Sequence, residues 1–278
     1  AITYTPQSVL DELAGLGAAY VTPLVNPPTL SGYTTPQVSM NPYYVQLPQC
    51  GITSNPYGGG AGTYGLLNCL AIKYGGVWAV IRFYYQSGEQ GVILSFQTSQ
   101  YPSGATSNTI WVYVGDNGYL YFGDYAESFW LVRFPLTPGW HTLVAGEYYS
   151  NGAYYIVAYL DTPSNTASVS TTNIPQLFGA ASTIYSYDDI GTGYATTSWS
   201  GSPLTGWWFF DGVIGYVALY PGASNVGSLL ISNGAFSIAS QQQSSVPGFA
   251  VDYPPNGVEP IVVGAFAATP LGMSVLLP

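Results

Sequence analysis

The sequence predicts an all-β fold, an antiparallel β-sandwich with extended N- and C-terminal arms and one short N-terminal helix. Short aromatic and β-branched runs recur along the chain, and Gly, Asn and Ser separate them without helical periodicity between. A length of 278 residues is near the upper end of one sandwich. The regular β pattern stops before both ends. We therefore divide the chain into an N-terminal helix and proline-rich arm (1–48), a sandwich domain (49–240) and an apolar C-terminal extension (241–278).

The N-terminal region carries the one helix signal. In residues 5–20, Thr5 can cap the helix, Pro6 suits its first position, and acidic residues occupy the early turns. From 22 to 43 the prolines predict an extended, irregular arm. They stand at positions 23, 27, 28, 36 and 42.

Seven runs predict strands, at 77–85, 92–96, 110–114, 119–122, 141–149, 154–161 and 212–220. Turn residues at Gly88 to Gly91, Asn117-Gly118 and Asn151-Gly152 predict that the first six runs form three hairpins. In 213–220 both sets of alternating residues are apolar. One face should line the core, and the other should meet a covering arm or a neighbouring molecule.

Composition limits the partners. Only 6% of the residues are charged, against about 25% in ordinary domains. The three cations, Lys73, Arg82 and Arg133, against 13 acids give a net charge of −10. No basic stripe can form, so nucleic acid is excluded as a partner. The 26 Tyr residues predict an adhesive surface. Scarce titrating groups indicate either tolerance of an acidic exterior or simply a Tyr/Gly-rich surface protein.

The two cysteines, Cys50 and Cys69, predict a disulfide. With no His nearby, they would make only half a zinc site. A disulfide indicates a compartment outside a reducing cytosol. We expect an extracellular, cell-surface or virion-surface location.

Three segments resemble one family. Gly139 to Ala145 (G-W-H-T-L-V-A), Tyr155 to Asp161 (Y-I-V-A-Y-L-D) and Phe210 to Tyr220 (F-D-G-V-I-G-Y-V-A-L-Y) are similar to strands of laminin-G-like, concanavalin A-like jelly-roll sandwiches. The resemblance covers about residues 70–225. Thr162 stands where the family usually has a turn Gly, so this hairpin is expected to differ. The low-charge, Tyr-rich composition also resembles that of archaeal and archaeal-virus surface filament proteins.

The resemblance raises catalysis as a question, because many such sandwiches are glycosidases, which need two carboxylates about 5 to 10 Å apart. The glucanase-like E-x-D-x-x-E strand is absent. We expect Glu147 to be the exposed member of its strand, and Asp188 and Asp189 to lie in a Tyr-rich loop. His141 lacks a nucleophile elbow and should be part of the framework beside Trp140. We predict that the chain is not an enzyme, with a divergent glycosidase as the third hypothesis.

No cofactor or metal is expected, although the resemblance raises Ca²⁺ bound by loop carboxylates. The acids considered for it are Asp116, Asp124, Glu127, Asp188 and Asp189. Aromatic side chains in the predicted loops could stack on sugar rings or be buried beneath the arms. These candidate glycan-binding residues are Tyr185, Tyr187, Trp199, Trp207 and Trp208.

Residues 260–278 carry no charge, and three prolines and the lack of a basic flank argue against a membrane-spanning helix. They predict an apolar strand that seeks a groove on a partner. The assembly residues of this tail are Ile261, Val262, Val263, Phe266, Leu271, Met273, Val275, Leu276 and Leu277. Our leading hypothesis is a structural subunit of an extracellular or virion-associated filament, coat or pilus, whose terminal arms pack on neighbouring copies. The alternative is a lectin-like adhesin that binds host or cell-surface glycans.

Overall fold

A computed structural model describes residues 20–21, 32–34, 37–40, 43–124, 131–232, 235–236, 250–252, 261–269 and 272–276. The strands are β1 (Tyr20–Val21), β2 (Gln37–Met40), β3 (Tyr43–Gln46), β4 (Gln49–Ile52), β5 (Gly62–Gly65), β6 (Gly76–Tyr85), β7 (Gly91–Gln97), β8 (Asn108–Val114), β9 (Tyr119–Gly123), β10 (Leu131–Pro135), β11 (Gly139–Ser150), β12 (Ala153–Leu160), β13 (Thr166–Thr171), β14 (Tyr187–Ile190), β15 (Tyr194–Ala195), β16 (Gly206–Trp207), β17 (Val213–Pro221), β18 (Ala250–Asp252), β19 (Ile261–Thr269) and β20 (Gly272–Leu276). The helices are α1 (Leu66–Tyr74), α2 (Ser224–Ser232) and two 3₁₀ turns, Gln176–Phe178 and Ala180–Ser182.

Two large antiparallel sheets form the body of the molecule. The six-stranded sheet runs β1-β17-β6-β11-β12-β13, and the seven-stranded sheet runs β10-β9-β8-β7-β14-β3-β2. One hydrophobic cluster takes residues from both sheets, among them Ile81 and Leu143 of the first and Phe96 and Trp111 of the second. The sheets therefore pack face to face, which confirms the predicted all-β sandwich with antiparallel strands.

The predicted strand runs are all present, but one of the three hairpins is wrong. β8 pairs with β9 and β11 pairs with β12, as the Asn-Gly turns predict. β6 and β7 do not pair: β6 lies between β17 and β11, and β7 lies between β8 and β14. The turn between β6 and β7 therefore carries the chain from one sheet to the other. Turn residues predict where the chain reverses, but they do not determine which strand each run pairs with.

The alternation predicted for 213–220 is broken by a β-bulge. Ile214 pairs with Phe83 and Tyr216 with Arg82, so the register shifts between Ile214 and Tyr216. The extra residue at this point puts Ile214 on the same side as Val217, and both lie in the main core. A strict two-residue period would have placed them on opposite faces.

Helix α1 was not expected from the sequence, which predicts no helix between the strands. All of its residues from Leu66 to Ile72 are buried, so the segment has no polar face that would reveal a helical period. A short apolar run of this kind resembles a buried strand. Gly75, with φ of 79°, ends the helix in the left-handed conformation that favours glycine.

The predicted arms are described only in part. The predicted helix at 5–20 and most of 22–43 lie outside the described residues, apart from short segments. β2 and β3, whose residues fall in the predicted arm, are strands of the seven-stranded sheet. In the C-terminal extension, the backbone of β18 and β19 lies beside β17 of its own chain. Over the described ranges, neither helix has the length and hydropathy that crossing a bilayer demands.

Candidate functional site

Strand β13 forms a free edge of the six-stranded sheet. Its sequence, Thr-Ala-Ser-Val-Ser-Thr, contains neither a charged residue nor a proline. It pairs with β12 on one side, and β12 is its sole neighbour in the sheet as described. Natural proteins usually protect such an edge with charges, prolines or bulges, because unpaired backbone groups invite another strand. We call Thr166–Thr171 the β13 edge.

The other edge strands of the two large sheets are better protected. β10 carries an exposed arginine, Arg133, and ends on Pro135. The sequence places prolines just before and just after β2, at 36 and 42. β1 is two residues long. Among the edge strands described for the two large sheets, the β13 edge therefore has the least protection.

Aromatic side chains line the sheet face next to the β13 edge. Tyr148 of β11 stacks on Tyr155 of β12, with ring centroids 5.3 Å apart and an interplanar angle of 17°. Tyr159 projects from the same side of β12 as Tyr155, two strand periods along, and all three tyrosines are partly exposed. Tyr148, Tyr155 and Tyr159 are the aromatic strip.

The aromatic strip is anchored by Trp78, which is 2% exposed. The Trp78 ring stacks on Tyr148 at 5.9 Å and 20°, and its Nε1 donates a hydrogen bond to the Ala223 carbonyl. A Cβ atom on Gly146 or on Gly227 would overlap the indole ring. Two glycines, one in β11 and one in α2, thus leave the space for this ring, and the strip rests on a fixed base.

All three cations of the chain lie over aromatic rings. The Lys73 Nζ is 4.6 Å from the centroid of Tyr33. The guanidinium carbons of Arg82 and Arg133 are 5.3 Å and 4.9 Å from Trp140 and Tyr119, respectively. All three separations suit a cation–π interaction. Each cation is therefore held over a ring of its own chain, including Arg133 on β10, a strand that lies close to β13.

Asp124 and Glu147 form a buried acidic pair, and the prediction that Glu147 is exposed is wrong. Both residues are 0% exposed. Asp124 accepts hydrogen bonds from the backbone N–H groups of Gln176 (3.1 Å) and Leu177 (2.8 Å). Glu147 accepts one from Trp111 Nε1 (3.2 Å), while its Oε2 receives no hydrogen bond from a donor. Glu147 is inside because this end of β11 faces the core.

The electrostatics of the acidic pair favour one shared proton. Burial raises the pKa of Asp124 to about 6, although the hydrogen bonds that Asp124 accepts lower it. Burial and then the charge of Asp124 raise the pKa of Glu147 well above its usual range. Asp124 already accepts two N–H groups, so the proton belongs on Glu147, whose carboxyl interacts with that of Asp124. The pair holds β11 to the 3₁₀ turn at Gln176–Phe178.

Asp188 and Asp189 lie on strand β14 and not in a loop as predicted. Both are 0% exposed, and burial raises both pKa values well above the usual range. Asp188 Oδ2 accepts the Leu67 N–H at 2.9 Å, at the first turn of α1. Asp189 Oδ2 accepts from Gln97 Nε2 at 2.9 Å. These carboxyls serve internal hydrogen bonds.

His141 is buried and bonded within its own chain through both ring nitrogens. Its Nδ1 lies 2.7 Å from Asp161 Oδ2 and its Nε2 lies 2.6 Å from the Thr137 carbonyl. Burial lowers the pKa of His141, but its bonds to Asp161 and Thr137 outweigh this and the net direction is upward. Both ring nitrogens face acceptors, so the ring fits best as an imidazolium donating twice.

The five candidate glycan-binding aromatics do not form one surface. Tyr185, Trp199 and Trp208 are 1%, 2% and 5% exposed, because their rings fill the interior against other aromatic side chains. They offer no face to a sugar. Trp207 and Tyr187 are partly exposed.

The remaining predicted site residues are the two cysteines and the acids considered for Ca²⁺. Cys50 and Cys69 form the predicted disulfide, which is confirmed. Of the acids considered for Ca²⁺, Asp116 is exposed in the turn after β8, Asp124 and the two aspartates of β14 are internal, and Glu127 lies outside the described residues. Within the described ranges, no three His, Cys, Asp or Glu side chains come together as a metal site would require.

The assembly tail is described only by its backbone. Residues 261–269 and 272–276 form strands β19 and β20, which pair with each other, and their side chains lie outside the described part. The contribution of these apolar side chains to assembly therefore stays a prediction.

Comparison with known proteins gives a distant likeness only. No protein-family model and no curated protein matches the sequence. Solved structures that are similar include one of NanB with Optactamide (14% identity, 66% of this chain and 26% of that chain, TM-score 0.37). Two others are of the NanB sialidase from Streptococcus pneumoniae, one in complex with 2-[(3-chlorobenzyl)ammonio]ethanesulfonate (13% identity, 65% of this chain and 27% of that chain, TM-score 0.37) and one of its K499G mutant (13%, 63% and 26%, TM-score 0.36). The chain thus spans about a quarter of the length of these proteins.

The prediction that the chain is not an enzyme is corrected by this comparison. The similar solved structures are those of a sialidase, so the exclusion of catalysis no longer stands. With TM-scores of 0.36 to 0.37, the likeness does not extend to an activity for this chain.

Proposed function

We propose that this chain is a structural subunit of an extracellular or virion-associated filament or coat, and that it assembles with copies of itself through the β13 edge and the aromatic strip. The finer fold that we propose is the concanavalin A-like, laminin-G-like jelly roll. The observation that carries the proposal is an unprotected, uncharged edge strand beside a fixed row of partly exposed tyrosines.

The two features support binding in complementary ways. An added strand would satisfy the free N–H and C=O groups of the β13 edge. Tyrosine and tryptophan dominate the energetics of protein interfaces, because they bury much area with few rotatable bonds. The stacking of Tyr148 on Trp78 and Tyr155 fixes these rings before a partner arrives. Less side-chain entropy is therefore lost on binding.

Charge and redox chemistry support the location. A net charge of −10 spread over few groups leaves large uncharged areas on which copies can meet without local repulsion. The disulfide between Cys50 and Cys69 links β4 to α1, and such a bond persists in oxidising surroundings. Both properties fit an exposed coat or filament.

A charge placed on the β13 edge tests the proposal. Ser168 is exposed in the middle of β13, and Ser168→Lys would bring ammonium groups to the interface. Ser87, exposed in the turn after β6, provides the matched control Ser87→Lys, with the same change of side chain and charge. Assembly is measured by sedimentation velocity over a concentration series and by negative-stain electron microscopy.

We expect wild type and Ser87→Lys to assemble at the same concentration, and Ser168→Lys to require at least tenfold more protein, since about 1.4 kcal/mol of lost binding free energy corresponds to a factor of ten. Circular dichroism checks that both variants are folded. Equal assembly of the two lysine variants would contradict a role for this edge.

One observation favours glycan binding as a second candidate. The partly exposed Trp207 ring lies between Tyr101 and Tyr194, at centroid distances of 5.7 and 5.6 Å and nearly perpendicular to both. Its Nε1 donates to the Ser103 carbonyl. The ring is thus held in one orientation, as a platform for a sugar would be.

A glycan array separates this candidate from assembly. If the chain is an adhesin, saturable binding to neutral glycans should be lost in Trp207→Ala and kept in Tyr149→Ala, which removes an exposed ring of β11. Absence of binding by the wild-type chain would remove this candidate.

A further inference from the structure

The free backbone groups of the β13 edge can be assigned to particular residues. The Leu160 N–H donates to the Asn165 carbonyl at the end of the β12–β13 hairpin. Along a strand the backbone groups of successive residues point to opposite sides. Those of residues 167, 169 and 171 therefore point towards β12. The N–H and C=O groups of Thr166, Ser168 and Ser170 point away from the sheet.

The side chains of these three residues share one face. Thr166 pairs with Tyr159, and Ser170 pairs with Tyr155, so each lies on the face of the aromatic strip. All three are exposed, whereas Ala167, Val169 and Thr171 are partly buried beneath the sheet. An incoming strand must match this alternation, because a slip of one residue would put its inner side chains on the outer face.

A second β13 edge meets these requirements when it runs antiparallel about a two-fold axis at Ser168. In that register Ser168 faces the partner's Ser168, and Thr166 faces the partner's Ser170. Each facing pair then exchanges two hydrogen bonds between groups that point at each other. A two-fold axis at Val169 would keep the faces matched but leave Thr166 without a partner.

The composition of the β13 edge suits pairing with itself. About the two-fold axis Ser168 meets its own copy, whereas Thr166 meets the partner's Ser170, so a charge at position 168 would face a like charge across the interface. The strand carries none. Small hydroxyl side chains at the three facing positions let the backbones approach, and the aromatic strips of the two copies continue on either side.

We infer that the partner of the β13 edge is the β13 edge of a second copy, paired antiparallel about a two-fold axis at Ser168. This inference rests on the proposed function and specifies how the first contact between two copies is arranged. The product is a dimer with a continuous sheet across both copies. Because a two-fold interface is closed, growth into a filament requires a second contact elsewhere on the chain.

Cysteine cross-linking tests the register. In the proposed arrangement the two copies of residue 168 have Cα atoms about 5.5 Å apart, within the range that a disulfide spans. Both native cysteines are already bonded to each other. Ser168→Cys should thus form a covalent dimer under copper-phenanthroline oxidation, seen on non-reducing gels. Ser170→Cys is the control, because its two copies would lie four residues apart along the strands, about 13 Å.

A mixing experiment provides the second readout. Thr166→Cys and Ser170→Cys should each stay uncross-linked alone, whereas an equimolar mixture should cross-link, since these positions face each other only between copies. A wild-type chain that stays monomeric in sedimentation would overturn both this inference and the proposed function. Assembly of wild type without a cross-link at residue 168 would overturn this inference alone.

Discussion

At the scale of single residues, the acidic pair makes stability depend on pH in an unusual direction. In the folded chain the pKa of Asp124 is raised to about 6 from 3.8, and that of Glu147 is raised well above 4.5. When the pKa of a carboxyl is raised in the folded state, the unfolded state releases that proton at a lower pH than the folded state does. The contribution to the free energy of unfolding is therefore complete below about pH 4 and is lost as the pH rises through the folded pKa values.

Replacing Glu147 with Gln should weaken this pH dependence. The Gln amide can donate to Asp124 at every pH and its oxygen can still accept from Trp111. We expect the free energy of unfolding to fall between pH 4 and pH 8 by at least about 1 kcal/mol less than in wild type, because one pKa unit corresponds to about 1.4 kcal/mol. Urea unfolding at pH 4, 6 and 8 measures it.

The control for this prediction is Asp124→Asn. An Asn side chain has one oxygen where Asp124 uses two to accept the Gln176 and Leu177 N–H groups. One buried N–H group loses its acceptor, so we expect a loss of about 1 to 3 kcal/mol even at pH 4. An equal pH profile for wild type and Glu147→Gln would contradict the shared proton.

The pairing of these carboxyls could not be predicted from the sequence. Glu147 was expected outside because charged residues are seldom fully buried. Other parts of the protein cover both faces of β11 near Glu147. The two-residue alternation of side chains along the strand therefore does not show which face would meet solvent. Its partner, Asp124, is 23 positions away, directly after β9 of the other sheet, and only the packing of the two sheets brings them together. The disulfide was predictable because the chain has only two cysteines.

At the scale of elements, α1 depends on a contact between distant parts of the chain. Gly65 precedes the helix without a side-chain cap of its own. The capping acceptor is Asp188 of β14, which binds the N–H of Leu67. A carboxyl at this end of a helix satisfies orphan donors that local sequence leaves open.

Gly65→Ala should disrupt this element, because a Cβ atom at Gly65 would overlap the Asp188 carboxyl. We expect a loss of about 1 to 3 kcal/mol, the usual cost of overpacking, measured by thermal unfolding under non-reducing conditions. Gly51→Ala is the control, since the added Cβ would meet no atom within 4 Å. A destabilisation of the same size in both variants would contradict the proposed clash.

Strands were more predictable than helices here. Runs such as 110–114 and 119–122 carry turn chemistry between them, so the signal for their pairing is local. Helix α1 has neither a side-chain cap of its own at the N-terminus nor a polar face, and the bulge at Ile214 and Tyr216 depends on pairing with β6. The sequence predicted elements with local signals and missed those set by tertiary contacts.

At the scale of the whole molecule, the sandwich was predictable, while the role of the C-terminal extension is a question for experiment. If the two-fold dimer is the building block, residues 258–278 are our candidate for the second contact. Their removal should then leave dimers that do not grow into filaments. Sedimentation velocity and electron microscopy distinguish dimers from longer assemblies.

If filaments still form after this deletion, the structure offers an explanation. The backbone of β19 lies beside β17 of the same chain, so the extension could serve its own sandwich. Filaments that persist after deletion of 258–278 would show that the second contact lies elsewhere. A truncated chain that loses the native circular dichroism spectrum would show that the extension completes the fold.

The placement of the three cations bears on survival outside a cell. Proteases that cleave after lysine or arginine have only three places to cut in 278 residues. Lys73 is in the last turn of α1, Arg82 is nearly buried in a central strand, and Arg133 lies in β10, paired along its length with β9. A protease must draw its substrate out in an extended form, so digestion by a trypsin-like enzyme would wait for the sandwich to open.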